Sequence, residues 1–196
     1  MSTWVFGYGS LVAPASLART IGRTVRIGDD AFVATLAGYG RRWNYGSETL
    51  RGDWTAPDGR AVSGGVVVSL GVVAAADESI DGVIARLDAD ELARLDWRER
   101  AYERVDVSDL VTVLDDPVAP TTPRHVELYV PRPHAVARYL RHRDDGTAAV
   151  RRDYHELVDG AFAALGPAHH ERYRATPPPD VPIVDVDLTP PADRVR

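Results

Sequence analysis

The amino-acid sequence predicts an α+β fold in which helices flank a small mixed sheet that curls towards a barrel. Segments with strand character come first along the chain, and the clearest amphipathic helical patterns lie in its last third. Neither an internal repeat nor a linker-like segment divides the sequence. We therefore expect a single domain that spans residues 1–196.

The composition indicates a globular protein that binds no nucleic acid. Of the 196 residues, 44% are hydrophobic, which is enough for a sizeable core. The net charge is −6, lysine is absent, and the arginines are dispersed among acids, so no nucleic-acid partner is expected. The absence of cysteine excludes disulfides, thiolate catalysis and cysteine-ligated zinc. With no recognisable signal peptide and no long apolar run, the expected location is the cytoplasm, away from membranes.

The first strand and the turn after it form the most informative stretch. The segment Trp4–Leu11 begins as an apolar strand and continues into a glycine-rich turn. Because Gly7 and Gly9 have no Cβ, the backbone there can take positive φ and a ligand can approach it closely. Ser10 and the neighbouring N–H groups would face outward as donors. The apolar spacing over residues 14–21 predicts a helix directly afterwards, so this turn is a candidate cradle for a small anion or carboxylate.

This turn departs from three better-known glycine motifs. A dinucleotide-binding fingerprint and a hydrolase elbow both need glycine at position 12, which is Val12. A phosphate-binding Walker loop needs a lysine, and the chain has none. A G-x-G sequence alone often only turns an edge strand, so the turn by itself does not establish a site.

Hydrophobic periodicity predicts the remaining elements. The expected strands cover residues 31–36, 64–73, 80–87, 102–114 and 124–130, with a possible edge strand at 183–188. The expected helices cover residues 88–100, 135–143 and 150–165. Residues 47–62 read as a loop with a turn at Asp58-Gly59, and residues 115–123 as a loop that joins two strands in a hairpin. Residues 38–46 also read as a loop, which either caps the core with its aromatic side chains or forms a wall for a polar ligand.

One carboxylate stands in register with the apolar face of a predicted helix. Asp88 is a suitable N-cap, and Leu92 and Leu95 mark the buried face. Glu99 follows Leu92 by seven residues and Leu95 by four, which puts it on the same face. An inward Glu99 would have a raised pKa and could act as a general base. The alternative is that the helix ends earlier and leaves Glu99 exposed or paired with an arginine; Asp96 is the competing acid, less well placed.

Three motifs, taken together, resemble those of γ-glutamylcyclotransferase-like proteins, most closely the bacterial and ChaC-type branch in which the turn reads YGSL. They are Val5-Phe6-Gly7-Tyr8-Gly9-Ser10-Leu11, Gly38-Tyr39-x-Arg41-Arg42-Trp43-Asn44 and Leu95-Asp96-x-x-Glu99-x-x-Tyr102-x-x-Val105. The resemblance covers the chain to about residue 107. It implies a small β-barrel flanked by helices, with the glycine turn and the glutamate meeting in one cleft.

The resemblance also implies an activity and a set of site residues. Members of the family cleave γ-glutamyl amides to 5-oxoproline and a free amine or amino acid, without a metal or cofactor. Carried over, Glu99 would be the catalytic acid/base and Tyr154 a substrate-binding tyrosine. The substrate-binding turn would comprise Val5, Phe6, Gly7, Tyr8, Gly9, Ser10 and Leu11. Two departures from the family pattern are Ala101, where glycine is common, and residues 148–151, where a Pro-Ser segment often precedes the tyrosine.

Several alternatives stay open at this level. On the same fold the protein could transfer or hydrolyse the γ-glutamyl group, or it could bind small molecules or regulate without turnover. A metal site at His142, His169 and His170 is disfavoured because adjacent histidines point apart on a helix, and a solvated surface is expected there. Ser10 lacks a nearby histidine motif that would make it a nucleophile.

The leaving amine is not specified by the sequence. Glutathione, a γ-glutamyl amino acid and a γ-glutamyl amine are all open. Trp43, Tyr45 and Trp54 are candidates for lining the cleft on that side. The expected partner is therefore a small γ-glutamyl molecule, and the expected assembly is a monomer or homodimer.

Overall fold

The computed structural model describes residues 3–114 and 125–189. Within them, nine strands form one mixed sheet and five α-helices pack around it. The strands are β1 (Thr3–Gly7), β2 (Ala31–Thr55), β3 (Ala61–Leu87), β4 (Tyr102–Asp106), β5 (Val111–Val113), β6 (Val126–Pro131), β7 (Ala148–Arg151), β8 (Ile183–Val184) and β9 (Asp187–Thr189). The helices are α1 (Pro14–Ile21), α2 (Ala89–Arg98), α3 (Pro133–Asp144), α4 (Arg152–Leu165) and α5 (Pro167–Arg174).

The sheet has the strand order β4-β6-β1-β3-β2-β5. Strand β1 lies between β3, to which it is antiparallel, and β6, to which it is parallel. Strand β7 adds in parallel to β3, and β9 pairs with β2. The predicted α+β class with a mixed sheet and flanking helices is confirmed. The sheet is open rather than closed into the predicted barrel: over residues 3–114 and 125–189, no pairing joins β4 to β5.

The long ribbon formed by β2 and β3 corrects the prediction of loops at residues 38–46 and 47–62. The two strands contain 25 and 27 residues and stay paired through four register shifts. One shift lies between Ala37 and Tyr39, where Gly38 takes φ +78°. Such bulges admit glycine and polar residues inside a continuous strand, which is why the sequence there looks like a loop. The turn at Asp58-Gly59 is confirmed and connects the two strands, with φ +85° at Gly59.

The predicted strand at residues 102–114 is in fact two strands. Strand β4 pairs with β6, whereas β5 pairs with β2 at the other end of the sheet. A short 3-10 helix, Ser108–Leu110, connects them because the chain must cross between these positions. Strands β4 and β6 are antiparallel neighbours, but β5 lies between them in the chain and pairs with β2, and the predicted loop at residues 115–123 lies outside the described residues.

Strand β1 contributes to two separate hydrophobic clusters because its side chains alternate between the two faces. Phe6 joins the main core, which includes Leu70 from β3 and Phe162 from α4. Val5 points the other way and packs with Leu17 of α1 and Leu95 of α2 in a second cluster. Helices α1 and α2 are thereby fixed on one side of β1, which sets where the end of α2 can lie. No helix in the described part of the chain is long and apolar enough to cross a membrane.

Candidate active site

The turn after β1 is shaped by close packing rather than by positive φ, contrary to the sequence-based expectation. Neither Gly7 nor Gly9 has a positive φ, and Gly9 has φ −129°. A Cβ on Gly7 would lie 2.7 Å from the Cβ of Leu11. A Cβ on Gly9 would lie 3.3 Å from the hydroxyl oxygen of Tyr154. Glycine is therefore needed at position 7 for the tight turn, and at position 9 it leaves the pocket side of the turn uncovered.

Glu99 is the residue that ends α2. The helix begins with a capping box, in which Asp88 and Glu91 each accept a backbone N–H from the other, at 2.8 and 3.0 Å. At the other end the N–H of Glu99 donates to the carbonyl of Leu95 at 2.8 Å. This bond keeps Glu99 in helical register, so its side chain stays on the same face as buried Leu95 and is only 13% exposed.

Arg98 connects Glu99 to the turn and to α1. Its Nε lies 3.0 Å from a carboxylate oxygen of Glu99. One terminal nitrogen donates to the Ser10 hydroxyl at 2.7 Å, and the other donates to the Thr20 hydroxyl at 2.9 Å. Because these partners lie on three segments of the chain, the guanidinium holds the carboxylate and the turn together. Such charge-assisted hydrogen bonds are stronger than neutral ones.

Two neighbouring cavities share Glu99 as a lining residue. An inner pocket of about 40 Å³ lies over the turn and contacts Phe6, Tyr8, Gly9, Leu11, Leu70 and Tyr129. An outer cleft of about 400 Å³ opens beyond it between α1, the β2–β3 ribbon and the start of α4. Four residues line both spaces: Ser10, Glu99, Tyr102 and Tyr154. The carboxyl of Glu99 therefore lies at the boundary between a narrow pocket and a wider, polar cleft.

Tyrosine side chains make up much of the inner pocket. The Tyr8 hydroxyl donates to the carbonyl of Tyr129 at 2.8 Å, and the Tyr102 hydroxyl donates to the carbonyl of Leu70 at 3.3 Å. Burial raises the pKa of Tyr154 to about 12 and raises those of Tyr8 and Tyr102 well above the ordinary value. All three phenols are therefore protonated near neutral pH and present neutral hydroxyls to the pocket.

The same burial acts on Glu99. Removal from water raises the pKa of the Glu99 carboxyl, and the adjacent Arg98 guanidinium opposes part of this rise. The net direction is upward, so Glu99 holds its proton to a higher pH than an exposed glutamate does. A buried carboxyl with a raised pKa that faces a cavity is suited to accept and donate a proton.

A model of the ChaC-like protein family matches residues 3–150 of this chain. The chain belongs to the ChaC-like family. The match includes the turn after β1 and Glu99, whereas α4, with Tyr154, lies beyond it. No curated protein sequence matched this ChaC-like protein.

Solved structures with the same fold were found at low sequence identity. A γ-glutamyl cyclotransferase has a TM-score of 0.53 and 16% identity over 92% of this chain and 90% of its own. An uncharacterized protein from Homo sapiens has a TM-score of 0.54 and 15% identity, with 91% and 90% covered. YkqA from Bacillus subtilis has a TM-score of 0.52 and 16% identity, covering 91% of this chain and 56% of its own. The γ-glutamylcyclotransferase-like fold expected from the motifs is thus confirmed for this ChaC-like protein.

The structure brings most, but not all, of the predicted site residues of this ChaC-like protein together. Glu99, Phe6, Tyr8, Gly9, Ser10, Leu11 and Tyr154 line the inner pocket. Val5 and Gly7 instead border a small apolar space on the opposite side of β1, since alternate strand residues face opposite ways. The competing acid, Asp96, lies outside both cavities, where it accepts from the Tyr129 hydroxyl at 2.7 Å and pairs with Arg104 at 3.1 Å.

The three aromatic residues that were expected to line the leaving-amine side of the cleft lie in three different parts of the structure. Tyr45 lines the outer cleft and stacks on Tyr102, with ring centroids 4.4 Å apart. Trp43 is buried in the main core, where its ring meets that of Tyr154 edge-on at 6.1 Å. Trp54 packs in a third cluster around Val62, away from the cleft. Only Tyr45 of the three contacts the described cavities.

Arg41 supports the turn from behind, a role that the sequence does not reveal. This buried residue of β2 donates to the carbonyl of Tyr8 at 2.9 Å and to the carbonyl of Asp81 at 2.5 Å. Its guanidinium lies 4.7 Å from the ring centroid of Phe162, a cation–π distance. Burial lowers the pKa of Arg41 to about 10, so it remains charged at neutral pH. The resemblance motif contains Arg41, but its partners are distant in sequence.

The histidines considered as metal ligands are engaged elsewhere. His169 lies 2.7 Å from the buried carboxyl of Asp81, and His170 lies 2.8 Å from Asp159. The two histidines have different partners, as expected of adjacent residues on a helix, and each side chain is partly exposed beside its aspartate. Over residues 3–114 and 125–189, no three His, Asp or Glu side chains are grouped closely enough to hold a metal ion.

Proposed function

We propose that this ChaC-like protein converts a γ-glutamyl amide into 5-oxoproline and a free amine, with Glu99 as the general acid/base. The observation that supports this most directly is the position of the Glu99 carboxyl at the boundary of the inner pocket and the outer cleft. Membership of the ChaC-like family and the fold shared with a γ-glutamyl cyclotransferase support the same reaction class.

The two cavities suit the two halves of such a substrate. The γ-glutamyl group would occupy the inner pocket, held by Phe6, Tyr8, Gly9, Ser10, Leu11 and Tyr154. The leaving amine would extend into the outer cleft. The amide bond to be broken would then lie at the boundary, beside Glu99. This arrangement would put the acid/base next to both nitrogen atoms that exchange protons.

The reaction is an intramolecular exchange of one C–N bond for another. The α-nitrogen of the substrate attacks its own γ-carbonyl carbon, the new lactam bond forms, and the bond to the leaving nitrogen breaks. Starting from the ammonium form, the α-nitrogen loses two protons and the leaving nitrogen gains two, so no water is consumed. Glu99 would accept a proton from the α-nitrogen and deliver one to the leaving nitrogen. The raised pKa of Glu99 suits both transfers.

Positioning supplies the rest of the rate enhancement in this proposal. Holding a substrate folded for ring closure corresponds to effective molarities of up to ~10⁵–10⁸ M in well-oriented cases. The backbone N–H groups of Ser10 and Leu11 donate to no backbone acceptor within the described residues, so they are available to the substrate carboxylate or the developing oxyanion. Arg41 and Arg98 fix the turn that carries these groups.

The test is product analysis with a panel of γ-glutamyl amino acids, peptides and amines. We expect 5-oxoproline in amounts equal to the free amine. Free glutamate would indicate hydrolysis, and a new γ-glutamyl amide formed with an added amine would indicate transfer; either result would overturn the cyclotransferase assignment. The matched variants are Glu99→Gln, which should slow release by roughly 10²–10⁴, and Glu103→Gln, which changes an exposed glutamate four residues on and should leave release unchanged. Absence of any product from folded protein that still binds 5-oxoproline in a thermal-shift assay would favour a binding module.

A further inference from the structure

A group of basic side chains lies where α3 packs against β2, although the whole chain has a net charge of −6. Gly46 of β2 lets the helix approach closely, since a Cβ there would lie 2.6 Å from the backbone nitrogen of Tyr139. Arg141 and His142 follow Arg138 by three and four residues, so all three lie on one side of α3. Arg138 donates to the carbonyl of Gly46 at 3.1 Å, which fixes that side of the helix beside β2.

Arg51 of β2 adds a third guanidinium to this group. One of its terminal nitrogens lies 3.5 Å from the carbonyl oxygen of Gly64, at the start of β3. Two residues on, the N–H of Val66 donates to the carbonyl of Thr147 at 2.8 Å. The Thr147 hydroxyl in turn lies 2.8 Å from Nδ1 of His142. These contacts place Arg51 beside the C-terminal half of α3.

The three arginines have little compensating charge. The pKa of Arg51 is lowered by its partial burial and by the positive charges of Arg138 and Arg141. In the part of the chain that the structure describes, neither Arg51 nor Arg141 forms an ion pair. The neighbouring acids are Glu48, which lies 3.9 Å from Arg138 and is 60% exposed, and Asp145, just beyond the end of α3. Like charges held together in this way repel one another, and a bound anion would relieve the repulsion.

The dipole of α3 accounts for only part of this grouping. Cations in the last turn of a helix interact favourably with its C-terminal end, which suits Arg141 and His142. Arg138 lies one turn earlier, and Arg51 belongs to a strand. The dipole therefore does not explain why these two arginines are held beside the end of the helix.

We propose that Arg51, Arg138 and Arg141 form a binding site for a small phosphate-bearing anion. Each guanidinium offers a planar fork of donors that fits two oxygens of one phosphate. Three positive charges favour a phosphate dianion over a carboxylate, which has a single charge. These arginines are not among the described residues that line the inner pocket and the outer cleft. The site is therefore separate from Glu99, and the proposal does not depend on the proposed function.

Isothermal titration calorimetry of the full chain with inorganic phosphate, at constant ionic strength, tests this site. We expect one phosphate to bind per chain, and acetate to bind more weakly than phosphate. Arg51→Gln and Arg141→Gln should each weaken phosphate binding by about tenfold or more, the scale of one hydrogen bond to a charged group. Glu48→Gln should strengthen binding, because it removes the acid next to Arg138.

Arg143→Gln is the matched control on the same helix. Arg143 already pairs with Asp144 at 2.7 Å and with Asp180 at 3.3 Å, so its substitution should leave phosphate binding within about twofold of the wild type. Absence of phosphate binding to the wild-type protein would overturn the proposal. Equal weakening in Arg143→Gln, Arg51→Gln and Arg141→Gln would also overturn it, because that result indicates only a general attraction of anions to positive charge.

Thermal unfolding distinguishes loss of the site from a folding defect. Without phosphate, Arg51→Gln should be at least as stable as the wild type, because it removes the repulsion from Arg138 and Arg141. Added phosphate should raise the Tm of the wild type and of Arg143→Gln, but not that of the variant that combines Arg51→Gln with Arg141→Gln. An equal rise in all three proteins would indicate a general salt effect and would rule out the site.

Discussion

Asp81 in β3 and Glu99 at the end of α2 are both buried carboxyl side chains with an arginine beside them, but their surroundings differ. The Asp81 side chain is 1% exposed and has three partners. The Thr35 hydroxyl donates to it at 3.0 Å, His169 lies at 2.7 Å and Arg172 at 3.3 Å. Every direction from which Asp81 could be approached is therefore occupied by the protein.

Among residues 3–114 and 125–189, Glu99 has one ionic partner, Arg98, and it otherwise faces the cavities. Its environment raises its pKa because lost hydration is only partly replaced. A buried carboxylate with its hydrogen bonds satisfied stabilises a fold, whereas one left with open positions towards a cavity is available for chemistry. Four predictions test whether this difference distinguishes a carboxyl with a structural role, Asp81, from one with a catalytic role, Glu99.

The largest expected effect is that of Glu99→Gln on turnover. The amide keeps the size of the side chain but cannot accept and return a proton, so kcat should fall by roughly 10²–10⁴. Stability should not fall. A carboxyl whose folded-state pKa lies above its unfolded value lowers stability at pH values above that unfolded value, and the neutral amide removes this cost. Paired kinetic assays and urea denaturation check both parts, and lost stability with retained turnover would make Glu99 structural.

Asp81→Asn should give the opposite pattern. Losing the charge weakens the contacts with His169 and Arg172 and should lower the free energy of unfolding by about 1–3 kcal/mol. Turnover of the folded protein should stay within about threefold of wild type, because Arg41 contacts only the backbone carbonyl of Asp81 and keeps its hold on the turn. A large loss of kcat with unchanged stability would mean that Asp81 participates in the reaction.

The features of the site that sequence could predict are those set by local spacing. The interval from Leu95 to Glu99 fixes one helical face, and Asp88 with Glu91 fixes where that helix begins. Tyr102 lines both cavities, and the sequence allows it to be identified as a candidate because it follows Glu99 by three residues in the same motif. Local rules of this kind need no knowledge of the rest of the fold.

Features that depend on distant partners could not be predicted in this way. Arg41 looks like a solvated loop residue, and only pairing of β2 with β3 shows that it is buried beneath Tyr8. The bulges that keep this ribbon continuous carry the glycine and polar residues that usually mark loops. Arg151 joins the cleft only because β7 pairs with the first part of β3, a contact between segments about 80 residues apart.

Arg98→Gln tests the role assigned to Glu99 through the pH dependence of kcat/KM. Arg98 lowers the pKa of Glu99, so its removal should raise that pKa further and move the acid limb of the pH profile of kcat/KM to higher pH. Since the base must be ionised to accept a proton, kcat/KM should fall by about tenfold or more on that acid limb, the scale of one charged hydrogen bond. The loss should become smaller as the pH rises, because a larger fraction of Glu99 is then ionised in both proteins. An equal loss across the whole pH profile would limit Arg98 to holding Ser10.

Arg172→Gln is the matched arginine variant on the Asp81 side and should have the smallest effect. The Arg172 side chain is 47% exposed, and its contact with Asp81 is one of three that this carboxyl receives. Exposed ion pairs contribute about 0–1 kcal/mol, so unfolding in urea should change by no more than that. The pH dependence of kcat/KM should be superimposable on that of the wild type. A shift of this pH dependence like the one expected for Arg98→Gln would mean that the charges around Asp81 influence the reaction. The distinction between a structural Asp81 and a catalytic Glu99 would then be wrong.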